Sequence, residues 1–194
     1  IDATKLIADP QVRNFGTIGG NIAHGDAAND HPAIMIALGA EVEITGKEGS
    51  RTESIDSFFY GFYMTAVQEG EILTELRIPV LQGKSGSAYH KNERKVGDYA
   101  TAGVAVQIGL DDDGVCTYAG IGLTNVNATP MRAERSEEAL RGTKLTEEDI
   151  AKAAQYAGED CNPSDDLRGS ADYKRRIVSV LTKRMINKAI ERAK

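Results

Sequence analysis

The sequence predicts an α+β fold, with an antiparallel sheet through the middle of the chain and helices before and after it. Three observations carry that prediction. Apolar alternation recurs in short runs between residues 41 and 124. Asp113-Gly114 sits where a tight hairpin would join the last two runs, and after Pro130 the apolar spacing changes to that of helices.

Residues 1–9 read as the end of a short helix, which Pro10 closes because it disfavours helical geometry at Asp9. A loop is expected from there to Asp30. Gly16, Gly19, Gly20 and Gly25 give it a glycine density that lets a backbone take positive φ and approach a ligand closely. Asp30 is placed to cap the next helix; Pro32 is tolerated in its first turn, Ile34, Met35 and Leu38 supply an apolar face, and Gly39 stops it. Residues 41–45 alternate around Val42 and Ile44, and 71–80 repeat that logic with Ile72, Leu76, Ile78 and Val80 on one face. Residues 86–94, 100–110 and 115–124 are the remaining strands. Gly83 and Gly86 mark 82–87 as a flexible linker.

Beyond Pro130, helices are predicted over 135–140 and 146–156, where Thr146 and Asp149 resemble a capping box. The last helix runs from about Ser170 to Ala193 on Ile177, Val180, Leu181, Met185, Ala189 and Ile190. Its other face carries Lys174, Arg175, Arg176, Lys183, Arg184, Lys188 and Arg192: a solvated face, or one that meets an acidic neighbouring subunit.

Composition narrows the function. The 194 residues are 41% hydrophobic and 27% charged, as in an ordinary soluble domain. A net charge of -6 gives no general attraction to nucleic acid. No apolar run approaches the roughly 20 residues of a membrane span, and the opening is not a signal peptide, so a cytoplasmic protein is expected. Cys116 and Cys161 are too far apart in sequence for a metal-ligand pattern, and His24, His31 and His90 lack zinc-type spacing. Gly83-Lys84-Ser85 lacks the glycine that a phosphate loop needs five positions earlier; Gly-x-Gly-x-x-Gly and Gly-x-Ser-x-Gly are absent; Asp111-Asp112-Asp113 reads as a hairpin tip, not a calcium loop. The chain opens at Ile1, in what reads as the middle of a helix, and is expected to be a fragment lacking an N-terminal portion.

Two motifs remain. Thr17-Ile18-Gly19-Gly20-Asn21, then Ala23-His24-Gly25-Asp26 and Asn29-Asp30-His31-Pro32, resemble the FAD-binding loop of the medium subunit of carbon monoxide dehydrogenase and, less closely, of xanthine dehydrogenase. Tyr89-His90-Lys91 followed by Arg94-Lys95-Val96-Gly97-Asp98-Tyr99-Ala100-Thr101-Ala102 looks like the second signature of that family, and Asp166-Leu167-Arg168-Gly169-Ser170 extends the likeness to the C-terminus. The resemblance implies the C-terminal part of a PCMH-type FAD-binding domain over 1–82 and a flavoprotein C-terminal domain over 83–194. An earlier glycine-rich loop of the family, which shares the pyrophosphate, has no counterpart here, so weak or no FAD binding is expected of this polypeptide by itself, and a complete site if the missing part is supplied as a separate chain.

It also implies FAD contacts at Thr17, Ile18, Gly19, Gly20, Asn21, Ala23, His24, Asp26, Asp30, Ile72, Leu73, Lys91, Asp98 and Tyr99. Gly19 and Gly20 leave their amides unshielded for a pyrophosphate, and Thr17 and Asn21 add side-chain donors; the bland alternative is a tight bend. Asp30 is either an acceptor for a ribose or ribityl hydroxyl or the helix cap. Tyr99 resembles the aromatic residue against the isoalloxazine ring, and is otherwise a packed strand tyrosine. Lys91 would place positive charge near the flavin, or is an exposed strand lysine; Ile72 and Leu73 lie beside the ring, or are core. The implied protein is an electron-relay subunit. A large molybdopterin-binding subunit oxidises substrate, a small subunit carries iron-sulfur clusters, and this chain passes electrons through FAD to an external acceptor, with no metal or catalytic residue of its own. The rival reading is a non-catalytic assembly or scaffold fragment that no longer binds flavin.

Overall fold

The computed structural model describes residues 1–193. Eight helices and nine strands follow in the order α1 (Asp2–Leu6), α2 (Pro10–Phe15), α3 (Ile18–His24), α4 (Asp30–Leu38), β1 (Glu41–Gly46), β2 (Gly49–Ser54), α5 (Ile55–Phe58), β3 (Phe59–Gly61), β4 (Met64–Thr65), β5 (Ile72–Arg77), β6 (Lys84–Asn92), β7 (Ala102–Leu110), β8 (Cys116–Thr124), β9 (Met131–Arg132), α6 (Glu134–Leu140), α7 (Glu147–Asp160) and α8 (Ala171–Arg192).

The stretch expected to be a glycine-rich loop is mostly helical. Pro10 does not only close α1; it occupies the first turn of α2, where its missing N–H costs nothing, and Asp9 caps that turn through the Val12 amide at 2.9 Å. Of the four glycines, Gly25 alone has positive φ, 70°, as the left-handed stop of α3. Gly39 stops α4 the same way. Asn29 is the N-cap residue of α4, and Asp30 is its first helical residue with a buried side chain, so the expected capping role is replaced by another.

Besides the two-stranded β3-β4 hairpin there are two larger sheets. The smaller has the order β2-β1-β5, all antiparallel. A register shift between Glu43 and Ile44 pairs them with Glu75 and Leu73, leaving Thr74 as an extra residue in β5. That bulge puts Leu73 and Leu76 together against the core cluster of Ile22, Ile36, Val42, Ile44 and Phe58. It overturns the expected face: Ile72 is 68% exposed, and Ile78 and Val80 lie beyond the strand. The larger sheet is β6-β7-β8-β9, with the predicted turn at Asp113-Gly114 held by Asp111, whose carboxylate accepts from the Asp113 and Val115 amides.

Helices cover both faces of the larger sheet. Val104, Val106, Ile108, Ala119, Ile121 and Leu123 meet α6, α7 and α8. Tyr89 and Ala105, pointing the other way, meet Ala33 and Ala37 of α4 and Ala3 of α1. α4 comes so close that a Cβ at Gly120 or Gly122 would stand 1.9 Å from the carbonyl oxygen of Ala37 or Ala33. Arg132 ties the same joint together: it donates to the last-turn carbonyl of Ile36 at 2.5 Å, to Asp56 at 2.9 Å and to the buried Glu137 at 2.7 Å.

The C-terminal helices need smaller corrections. The capping box at α7 forms as expected, with Thr146 and Asp149 bonding reciprocally. Thr146→Ala should cost about 1 kcal/mol, read as a lowered urea midpoint with an unchanged m value. In α8 the buried stripe is Val178, Leu181, Met185, Ile186 and Ala189, and Val180 is exposed. Lys174 is not on the solvated face: its side chain is 2% exposed and paired with Asp166 at 2.8 Å. The expected linker is already sheet from Lys84 on, and Gly86 packs against the backbone of Ala189 to Ala193.

Candidate functional site

The starts of α3 and α4, the β3–β4 hairpin, β5 and the loop after β6 converge at one end of the molecule. Thr17 organises the first of these. Its hydroxyl accepts from the Gly20 amide at 2.9 Å and its carbonyl from the Asn21 amide at 3.0 Å. The amides of Ile18 and Gly19 then have no protein acceptor among the described residues. The expectation of open amides at Gly19 and Gly20 is therefore corrected by one residue: the cap consumes the Gly20 N–H, and the open donors are those of the first two helical positions. A Cβ at Gly20 would lie 2.9 Å from the Thr17 hydroxyl, so a larger residue there would have to displace the capping side chain. At Gly19 a Cβ would touch Leu73 at 3.6 Å, an ordinary contact.

Side chains lace α3 to α4. The Asn21 carbonyl accepts from Asn29 Nδ2 at 2.9 Å, Asn29 Nδ2 lies 3.0 Å from His24 Nδ1, and Asn21 Oδ1 meets His31 Nδ1 at 3.2 Å. His31 is buried, and burial lowers its pKa, so the ring is neutral. With Nδ1–H given to Asn21, Nε2 is an acceptor, and it has no partner among the described residues. Asp26 accepts from the Ala28 amide at 2.9 Å and from the Tyr63 hydroxyl at 3.2 Å, while the Tyr63 ring lies 5.0 Å from that of His24. The Asp26 charge raises the pKa of Tyr63. Tyr63 holds φ at 56°, a conformation that bulky side chains seldom adopt.

A buried polar cluster lies at the head of α4. Asp30 accepts from Lys91 Nζ at 2.9 Å and from the Tyr89 hydroxyl; Lys91 also donates to the Asp98 carbonyl at 2.9 Å and has Glu93 at 3.5 Å. The Lys91 and Asp30 side chains are 2% and 6% exposed. Desolvation raises the Asp30 pKa against the pull of Lys91, and pushes that of Tyr89 well above its usual range. Past Asp98, Tyr99 projects from the loop, 46% exposed.

Two family descriptions account for nearly the whole chain. Residues 2–81 match the FAD binding domain in molybdopterin dehydrogenase, and residues 87–189 match the CO dehydrogenase flavoprotein C-terminal domain. The carbon monoxide dehydrogenase medium chain of Hydrogenophaga pseudoflava is 47% identical over 188 residues, 97% of this chain and 65% of that one. That of Afipia carboxidovorans is 46% identical over 193 residues, 100% of this chain and 67% of its own length. The chain belongs to the carbon monoxide dehydrogenase medium-chain family. Its backbone follows that of the solved Hydrogenophaga pseudoflava carbon monoxide dehydrogenase lacking the Mo-pyranopterin moiety with a TM-score of 0.94 at 48% identity, covering 98% of this chain and 66% of that one. The chain thus spans about two thirds of the length of these medium chains.

Within this medium-chain frame the residues singled out from sequence divide into two groups. Thr17, Ile18, Gly19, Gly20, Asn21 and Leu73 gather around the start of α3, His24 and Asp26 lie at its far end, and Ala23 and Ile72 are exposed. Asp30, Lys91, Asp98 and Tyr99 gather around the loop after β6. Lys91 is not an exposed strand lysine, because Asp30 neutralises it inside the protein, and Tyr99 is not a packed strand tyrosine. Ile72 is not core, whereas Leu73 packs on it. Sequence reasoning missed Asn29, His31 and Tyr63. Tyr63 stands in an aromatic run, Tyr60, Phe62, Tyr63, too polar at its tips for a core strand, and that was the available signal.

Proposed function

We propose that this chain binds FAD and serves as the electron-relay subunit of a cytoplasmic molybdenum-containing hydroxylase. In that complex a large molybdopterin-binding subunit oxidises substrate, a small iron-sulfur subunit delivers the electrons, and an external acceptor removes them. Residues 1–82 would be the FAD-binding part and 83–194 the C-terminal part. The observation that carries the reading is the pair of open amides, Ile18 and Gly19, at the start of α3 beside the buried, partnerless Nε2 of His31. Two donors and one acceptor without protein partners match a diphosphate flanked by hydroxyl groups.

FAD, when bound, accepts electrons in pairs and releases them singly. The protein's own part is to hold and insulate it. The Ile18 and Gly19 amides meet the diphosphate oxygens, with Thr17, Asn21, Ala23, His24 and Asp26 framing the turn. His31 accepts one hydroxyl and the remaining lone pairs of Asp30 another. Leu73 and Ile72 supply an apolar side, and Tyr99 the facing aromatic surface. The Lys91–Asp30 pair is close to neutral as a unit, so its influence on the ring comes through the direction of the pair more than through net charge.

Adding FAD to the protein in complex with its partners should give a bound flavin absorbance band. Gly19→Asp, which sets a carboxylate beside the open amides, should weaken binding about 100-fold, the equivalent of roughly 3 kcal/mol of lost charge-assisted bonding and added repulsion. A chain that shows no flavin band at saturating FAD in complex with its partners would instead be a scaffold.

A further inference from the structure

We propose that the turn at residues 166–169, at the head of α8, is the strut that fixes the orientation of Tyr99, with Arg168 as the positioning residue. The inference rests on Tyr99 facing the flavin, as proposed above.

Tyr99 lies in the loop between β6 and β7, with no ladder to hold it. Its neighbour Asp98 supplies the hold instead. One Asp98 carboxylate oxygen accepts from the Tyr99 amide at 2.8 Å and from Arg168 Nη2 at 3.3 Å, and the other from Arg94 Nε at 3.3 Å. The Arg168 guanidinium also stands 5.8 Å from the centre of the Tyr99 ring, within reach of a cation–π contact. One residue thus touches both the backbone bracket and the ring. A planar guanidinium against a ring restricts its rotation as a point charge does not.

The turn that carries Arg168 is itself braced. Asp166 accepts from the Arg168 amide at 2.7 Å and the Gly169 amide at 3.1 Å, and the Asp166 and Gly169 backbones bond each other at 3.2 Å in both directions. Lys174 donates to Asp166 and, at 3.0 Å, to the Ser164 carbonyl. A lysine this buried is costly unless well paired, and its partners here are one carboxylate in the turn and one carbonyl just before it. Tyr173 closes the other side: a Cβ at Gly169 would lie 2.8 Å from its ring, and its hydroxyl accepts from Asn92 at 3.3 Å, where the Tyr99 loop begins. The Asp-Leu-Arg-Gly-Ser motif, distant in sequence from the first two signatures, therefore acts on the same loop as the second.

The test uses flavin fluorescence in the FAD-loaded protein with its partners, since an aromatic side chain against the ring quenches it. Tyr99→Leu should raise fluorescence several-fold. Arg168→Gln should raise it at least twofold when Tyr99 is present and have no effect in the Tyr99→Leu background. Without flavin, Arg168→Gln should speed amide exchange of residues 94–101 about tenfold while leaving the thermal midpoint of the rest of the protein in place. Asp166→Asn, two contacts removed, should reproduce both effects in weaker form. Fluorescence unchanged by Arg168→Gln, or raised equally in both backgrounds, overturns the strut. If FAD binds but Tyr99→Leu changes nothing, the Tyr99 reading beneath it falls as well; if FAD does not bind at all, the proposed function itself fails.

Discussion

Gly122→Val is expected to destabilise the fold severely. A Cβ at that position would stand 1.9 Å from the Ala33 carbonyl oxygen, 2.7 Å from its carbon and 2.9 Å from its Cα. Every one of those atoms is backbone, in a helix whose own hydrogen bonds fix them, so no side-chain rotation relieves the clash. α4 would have to lift off the sheet, taking Ala33, Ala37, Tyr89 and Ala105 out of contact. Overpacking with backbone displacement, together with the loss of that burial, costs about 4 kcal/mol or more, a large part of the 5–15 kcal/mol that domains of this kind possess. Soluble yield and urea unfolding read the effect. A Gly122→Val protein with a native midpoint would mean that α4 does not rest on β8.

Lys91→Met should destabilise by about 3–5 kcal/mol at neutral pH, because it strands the Asp30 carboxylate inside the protein. The pH dependence gives the signature. Desolvation already raises the Asp30 pKa in the folded protein, and Lys91 is the main group opposing that rise. Without it the folded pKa climbs further above the unfolded value of about 3.9. Between those two values the folded state keeps a proton that the unfolded state releases, so stability falls as pH rises through the window and is recovered on acidification. Tyr89 and Glu93 face the same carboxylate, one donating to it and one repelling it. Chemical denaturation of Lys91→Met at pH 5 and pH 7 should show the lower stability at pH 7, and adding Asp30→Asn should remove most of that difference. Equal stability at the two values would place Asp30 outside the buried pair.

Much of the architecture was legible in sequence because its signals are local. The Thr146 and Asp149 capping box, Ser170 at the head of α8, the Asp113-Gly114 turn and the two-residue alternation of β6 to β8 each depend on neighbours a few positions away. Where the reading failed, pairings that residue spacing does not reveal decided, some of them local and some distant. Nothing near Thr74 announces a bulge; pairing with β1 creates it and so exchanges Ile72 for Leu73 as the inward residue. Gly19 and Gly20 look alike in sequence, yet the Thr17 hydroxyl takes one amide and leaves the other. Lys91 and Lys174 have the spacing of surface residues, and their burial rests on pairing with Asp30 and Asp166, helped by the carbonyls of Asp98 and Ser164. His31 was set aside because it lacked metal spacing; its unpaired nitrogen becomes visible only once Asn21 is seen to occupy the other.

The seating of α4 has a consequence for how the two halves of the chain are to be understood. Family descriptions divide it between residues 81 and 87, but this helix follows the first half in sequence and the second in packing. Its leading carboxylate grips Lys91 and Tyr89, its length lies flush on Gly120 and Gly122, and a last-turn carbonyl, that of Ile36, is held by Arg132. A single rod therefore sets the distance between the turn at Ile18-Gly19 and the tyrosine at 99, two features that come from opposite sides of the division. Drift of one half against the other, which a hinge at the division would permit, is foreclosed by a part that belongs to both.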